Sequence, residues 1–264
     1  MFNGFSAVPG AVVPYAYDWL LVGLSYLISV AGAYVGLRWS RRVRNKNGAI
    51  DMDRLVCASV ALGGGAVWSM HFIGMAAYRT PVRIEFDLFM TLASLVVVMV
   101  FAAGGLVIAS RTKGNRMRNV AEGGVLTGLG VAVMHYTGMA AVHTNSNFDW
   151  DISIMGVSAL IAVLVSMVAL WLATTVKTRG QQFGAALIMG VAVCGMHYTG
   201  MTAGTMICTG QSYSPSLFAI EGSNIGYAVF ALAGTILMII LLIEASRSAS
   251  SASSARATAS GTLR

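Results

Sequence analysis

Apolar residues run in seven blocks of about 20, over 15–37, 55–78, 86–109, 120–142, 152–175, 183–207 and 225–243. Each block is long enough to cross a hydrocarbon core of roughly 30 Å. The polar connections between them are short. All four prolines, Pro9, Pro14, Pro81 and Pro215, fall outside the blocks, as they must if every block is a helix. The pattern predicts an all-α fold, a polytopic membrane protein with seven transmembrane helices. It has three parts: an extracytoplasmic segment 1–14, the membrane domain 15–243, and a Ser/Ala-rich tail 244–264 expected to be disordered.

Composition agrees, with 56% apolar residues, 10% charged and a mean hydropathy of +0.73. The net charge of +7 raises the question of nucleic acid, and its distribution answers it. Fifteen of the 17 Lys and Arg lie in alternate connections and the tail: Arg38, Arg41, Arg42, Arg44, Lys46 and Arg54, then Arg111, Lys113, Arg116 and Arg118, then Lys177 and Arg179, then Arg247, Arg256 and Arg264. The other side holds Arg79 and Arg83 alone. By the positive-inside rule the N-terminus is outside and the C-terminus cytoplasmic. The basic charge is a topology signal, with the lipid bilayer and not nucleic acid as its partner. The first block lacks a basic n-region and a cleavage site, so it does not read as a signal peptide. Cys57, Cys194 and Cys208 sit at different depths and form no disulfide framework.

Three of the four histidines belong to one repeated motif. The copies are Met70-His71-Phe72-Ile73-Gly74-Met75, Met134-His135-Tyr136-Thr137-Gly138-Met139 and Met196-His197-Tyr198-Thr199-Gly200-Met201. They fall in the second, fourth and sixth blocks, so the repeat reads as a motif helix plus the next return helix. All three motif helices run from cytoplasm to exterior. At 1.5 Å per residue their histidines lie roughly 3–7 Å beyond mid-span on the outer side. The sequence therefore predicts one layer of three imidazoles, with Met75, Met139 and Met201 a turn closer to the exterior.

A histidine is costly inside a membrane without a partner or a task. Within each motif His and the Met four residues on share a face, and the glycine between them clears space for a neighbouring helix or a ligand. The leading Met70, Met134 and Met196 point about 100° away. Cys194 shares the face of His197. Imidazole with thioether and no carboxylate selects against calcium, magnesium and manganese and favours copper, above all Cu(I). Three histidines also suit zinc, and paired His or His/Met ligands suit haem. Phe72 in the first copy rules out a threefold hydroxyl role for Tyr136 and Tyr198. His143 reads as interfacial and Asp18 as a cap or a solvated residue.

Three Met-His-Tyr-Thr-Gly-Met-like motifs on alternate spans resemble the MHYT family of bacterial integral membrane sensor domains, over about residues 15–243. The resemblance implies a multi-pass domain of the bacterial inner membrane. It also implies copper held near the outer face by Met70, His71, Met75, Met134, His135, Met139, Met196, His197 and Met201, and sensing of oxygen, carbon monoxide or nitric oxide. Family members often continue into modules that make or degrade cyclic di-GMP. None follows the last span here, so the expectation is a non-catalytic sensor that signals to a separate cytoplasmic protein. The rival readings are a copper transporter or chaperone, which needs a second ligand layer toward the cytoplasm, and a membrane oxidoreductase, which needs an acid or base beside the metal.

Overall fold

The computed structural model describes residues 8–41, 43–45, 47–210 and 218–261. The start of the expected N-terminal segment, Arg42, Lys46, Pro215 and Arg264 lie outside the described residues. Among the described residues six helices are long and apolar enough to cross a membrane. They are α1 (Trp19–Ser40), the composite Met52–Ala77, α4 (Leu88–Ala109), α6 (Ile152–Thr175), α7 (Arg179–Met201) and the Asn224–Arg247 stretch of α8 (Gly222–Gly261). The composite joins α2 (Met52–Ser59), a π-helical segment Val60–Trp68 and α3 (Ser69–Ala77). A seventh, α5 (Arg116–Ala140), is as long but opens on Arg116, Arg118 and Glu122 and carries five glycines, so composition alone does not qualify it. It packs between α4 and α6, where Gly130 meets Phe101 and Gly124 meets Met167. Past the last apolar block α8 continues without a break into the Ser/Ala-rich segment and ends at Gly261.

Polar residues set the starts of most of these helices. Asp18, Asp51, Asp87, Asn115, Asp151 and Thr178 each accept first-turn N–H groups through their side chains, satisfying donors that a helix end otherwise leaves open. Asp18 is thus an N-cap. It also holds Arg79 at 3.1 Å.

Three of these caps belong to a second repeat, Asp-x6-Ser, at Asp18/Ser25, Asp87/Ser94 and Asp151/Ser158. The backbone N–H groups of the three aspartates donate to the carbonyls of Ala77, Ala141 and Ala203 at 2.9, 2.8 and 2.8 Å. Each of those alanines lies two residues past a trailing motif methionine. Every motif helix is therefore tied at its C-terminal end to the helix that begins at the adjacent Asp. These bonds join each motif helix to the helix before it.

The serines tie each motif helix to its other neighbour. Ser25, Ser94 and Ser158 donate to the carbonyls three residues back, Val22, Thr91 and Met155, at 2.7, 2.7 and 2.9 Å. Their oxygens are then free to accept. Tyr198 takes Ser25 at 3.3 Å, Tyr136 takes Ser158, and the indole of Trp68 takes Ser94 at 3.1 Å. The first motif has Phe72 in place of a tyrosine, and Trp68, one turn earlier, supplies the missing donor. The two sets of bonds link the first six helical stretches into a closed ring with α3, α5 and α7 meeting inside it.

The connections on the Ala77 side fold into strands, a departure from the expected all-α architecture. β1 (Ala16–Tyr17) pairs with β2 (Tyr78–Arg79). β3 (Glu85–Asp87) lies between β4 (Val142–His143) and β7 (Ala219–Glu221), and β5 (Ser146–Trp150) pairs with β6 (Gly204–Cys208). All pairings are antiparallel. Together they form a thin cap over the ends of the motif helices, with Phe86 turned inward against Phe72.

The Arg79 guanidinium, followed by the N–H groups of Leu21 and Leu20, holds the Asp18 carboxyl below its usual range. A lowered folded value means the contact stabilises the cap above the ordinary aspartate range, about pH 4, and is lost as pH falls through the lowered value. Acid titration of the purified protein should therefore loosen the β1–β2 pair. Amide exchange at Tyr17 and Tyr78 should rise below about pH 4 in wild type and already be high at neutral pH in Arg79→Gln. Equal protection in the two proteins at neutral pH would show that the ion pair does not secure the cap.

Candidate metal centre

His71, His135 and His197 are fully buried and face one another. The ring centroids are 4.8, 5.0 and 5.3 Å apart, with interplanar angles of 71°, 86° and 85°. Each ring stands edge-on to the next, like blades of a propeller. The Nδ1 atoms point inward: that of His71 is 3.0 Å from that of His197 and 3.1 Å from that of His135. Among the described residues this is the cluster of His, Cys, Asp or Glu able to hold a metal ion.

The motif glycine explains how three rings fit where three helices cross. The outward Nε2 of His71 lies over Gly138, that of His135 over Gly200, and that of His197 over Gly74, each where a Cβ would collide with it. The relation is cyclic: every motif helix presents a histidine to the next and a glycine to the one before. The sequence correctly marked the glycine as cleared space. What fills that space is the neighbouring motif's own imidazole.

Hydrogen bonding cannot satisfy this arrangement. A neutral imidazole carries one N–H and one in-plane lone pair. If the inward Nδ1 atoms hold lone pairs, three of them confront one another; if they hold hydrogens, three donors do. At most one good bond forms within the triangle. Among the described residues the three Nε2 atoms are buried without a hydrogen-bond partner of good geometry, at a cost of up to about 1–3 kcal/mol for each. A cation at the centre of the Nδ1 atoms accepts all three lone pairs together. Three nitrogens each about 2.0 Å from one ion stand roughly 3.3–3.5 Å apart, close to the 3.0 and 3.1 Å at which the His71 nitrogen stands from the other two, and all three ligand atoms lie within 4.8 Å of one another. The donor set fits a metal ion.

The methionines divide into two groups. Met75, Met139 and Met201 line one cavity of about 10 Å³ between the motif helices and the strand cap. Met206, on β6, lines it too, and nothing in the motif pattern marked that residue. Met70, Met134 and Met196 are buried in the main apolar core and do not line this cavity. Cys194 stands apart from the triad, and Cys57, Cys194 and Cys208 are free thiols. His143 is exposed on β4. The ring of Ser25, Ser94 and Ser158 also escaped the motif search, although the Asp-x6-Ser spacing was there to find it.

A family model named MHYT, described as "Bacterial signalling protein N terminal repeat", matches residues 64–121, 128–186 and 190–255. The bifunctional diguanylate cyclase/cyclic di-GMP phosphodiesterase MucR of Pseudomonas aeruginosa is 34% identical over 253 residues, 92% of this chain and 37% of that protein. The signaling protein YkoW of Bacillus subtilis is 31% identical over 196 residues, 72% of this chain and 24% of its own. The cyclic di-GMP phosphodiesterase NbdA of Pseudomonas aeruginosa is 30% identical over 213 residues, 76% of this chain and 26% of its own. The chain thus spans roughly a quarter to two fifths of the length of these relatives. No solved structure matches it.

Proposed function

Since the chain belongs to the MHYT family of bacterial signalling proteins, we propose that it is a non-catalytic, copper-binding sensory domain of the inner membrane, with seven spans and its N-terminus outside. The convergence of three buried Nδ1 atoms carries this reading. Imidazole suits several transition metals, and the surroundings narrow the choice. Among the described residues no carboxylate joins the cluster, so a divalent ion brings two uncompensated charges into a buried site, whereas Cu(I) brings one. The neighbouring thioethers favour the same ion. A porphyrin does not fit between rings whose Nδ1 atoms are 3.0 Å apart, beside a cavity of about 10 Å³. Transport is less well supported, because no second ligand cluster lies toward the basic ends of the helices among the described residues.

The stimulus is a diatomic gas, or a change in copper redox state, acting at the bound ion. Copper supplies an open coordination position or a redox change; the chain supplies the route out. His71 sits at one end of the composite helix Met52–Ala77 and Asp53 at the other. Asp53 holds Arg247 of α8 at 2.7 Å, and Glu244 of α8 holds Arg38 of α1 at 2.9 Å. Between His71 and Asp53 lies the π-helical segment, a kind of distortion that recurs at functional sites. A shift at His71 passes along this helix to α8, and the matched region is only 24–37% of the relatives named above. A cyclic di-GMP enzyme is the partner class that follows from those relatives.

One titration tests both halves. Cu(I) added to the purified chain in nanodiscs should give an X-ray absorption signature dominated by nitrogen at about 2.0 Å. It should also shift the distance between spin labels placed by Val56→Cys and Ala249→Cys in a background free of native cysteines. Uptake at background level removes the metal site. Uptake with an unchanged label distance leaves the site and removes the signalling route.

A further inference from the structure

The three trailing methionines occupy matching motif positions but not matching surroundings. A second cavity, about 200 Å³ in volume and open to the outside, lies beside β2 and β3. Met75, Tyr78, Ile84 and Phe86 line both this vestibule and the closed methionine cavity, whereas Met139 and Met201 line the closed cavity alone. A single wall of side chains thus separates outside from methionine layer, and one of its members is a thioether.

The charges around the vestibule suit a cation. Arg79 and Arg83 line it, but each is engaged by a carboxylate, Asp18 at 3.1 Å and Glu85 at 3.0 Å. Glu221 lines it as well, and strand register sets Glu221 beside Glu85. Asp18 and Glu85 do not line the cavity but offset the two guanidiniums from behind, which leaves Glu221 as the one carboxylate in the lining. Beyond the wall no charged residue lines the closed cavity. From outside inward the lining passes from ion-paired arginines and Glu221 to thioethers, and the triad lies one helical turn behind the three methionines in sequence.

We propose that this vestibule is the entry port for a soft monovalent cation, and that Met75 is the transfer ligand that passes it from the port into the methionine layer. The inference rests on the reading of the triad as a Cu(I) site and adds its route. Tyr78, Ile84 and Phe86 form the rest of the gate, and a rotamer change of these side chains opens the wall without movement of a helix. Met139 and Met201 hold the ion after entry.

The test is the rate of Cu(I) transfer from a chromophoric chelator to the full chain in nanodiscs, followed by stopped flow, with final occupancy read from the same traces. Val82→Trp fills the vestibule from a half-buried loop position. It should slow loading at least tenfold with final occupancy unchanged. Met75→Leu should slow loading at least tenfold relative to Met139→Leu, although the two lower equilibrium affinity alike. Wild-type loading rates in Val82→Trp, or equal rates in the two methionine variants, overturn the port. Should Val82→Trp fail to fold, the methionine comparison decides alone. Absence of uptake by wild type is a different result, and it removes the Cu(I) reading together with its route.

Discussion

Gly138→Ala will weaken metal binding at least about a hundredfold while leaving every proposed ligand in place. The added methyl falls on Nε2 of His71. That ring cannot retreat, because its Nδ1 edge already lies 3.0 and 3.1 Å from the other two histidines. It must tilt out of the triangle, and metal sites tolerate only about 0.5 Å of ligand displacement. Overpacking of this kind also costs about 1–3 kcal/mol of stability. Gly74→Ala and Gly200→Ala should act alike, through His197 and His135. Gly195→Ala is the control: it lies on the same helix as His197 with nothing within 4 Å of the new methyl, and it should bind as wild type and gain slightly in helix propensity. Chelator competition and thermal unfolding measure both effects. Wild-type affinity in Gly138→Ala would show that the rings are not held by the glycines.

The sequence made the three histidines legible as one layer because topology and spacing act together: three co-directed helices with matching motif depth leave little freedom in where the imidazoles lie. Among the described residues six of the spans are apolar enough to be marked by hydropathy, whereas α5 is not; the start of α1 could also be read from Asp18. Less legible was anything that depends on which helix stands beside which. The cyclic pairing of His71 with Gly138, His135 with Gly200 and His197 with Gly74 is a property of ring order, and a local motif does not encode ring order. The substitution of Trp68 for the missing tyrosine hydroxyl required knowing that Ser94 faces it. The π-helical segment is a change in hydrogen-bond register within one apolar run, and periodicity over nine residues does not reveal it. The strands of the cap are two to five residues long, too short for alternation to stand out.

Met206 is instructive for another reason. It lies on β6, outside every motif, yet shares a cavity with the three repeated methionines. Pattern repetition marks the three motif methionines of this cavity and is blind to the fourth, which breaks the symmetry. Met75 breaks it too, since it alone of the three faces the vestibule.

Replacing all three histidines by leucine should make the protein more stable and abolish Cu(I) binding, the largest separation of stability from function available in this fold. The triad without a cation is a liability: among the described residues the three Nε2 atoms are buried without partners of good geometry, and the Nδ1 atoms confront one another with at most one good hydrogen bond among them. Each such polar group costs up to about 1–3 kcal/mol. Leucine is of similar volume and has nothing to satisfy, and apolar replacement of a buried polar cluster is often neutral or stabilising. The glycines opposite remain cleared, so branched side chains have room to settle. A structural triad predicts the reverse, since removing hydrogen bonds that hold three helices together should lower stability. Thermal unfolding in nanodiscs without metal separates the two: a melting temperature several degrees above wild type marks the histidines as kept for a ligand, and one several degrees below marks them as kept for the fold. With Cu(I) present the order should invert, because the ion binds only the folded wild type and stabilises it by mass action, by about 4 kcal/mol at a thousandfold excess over the dissociation constant.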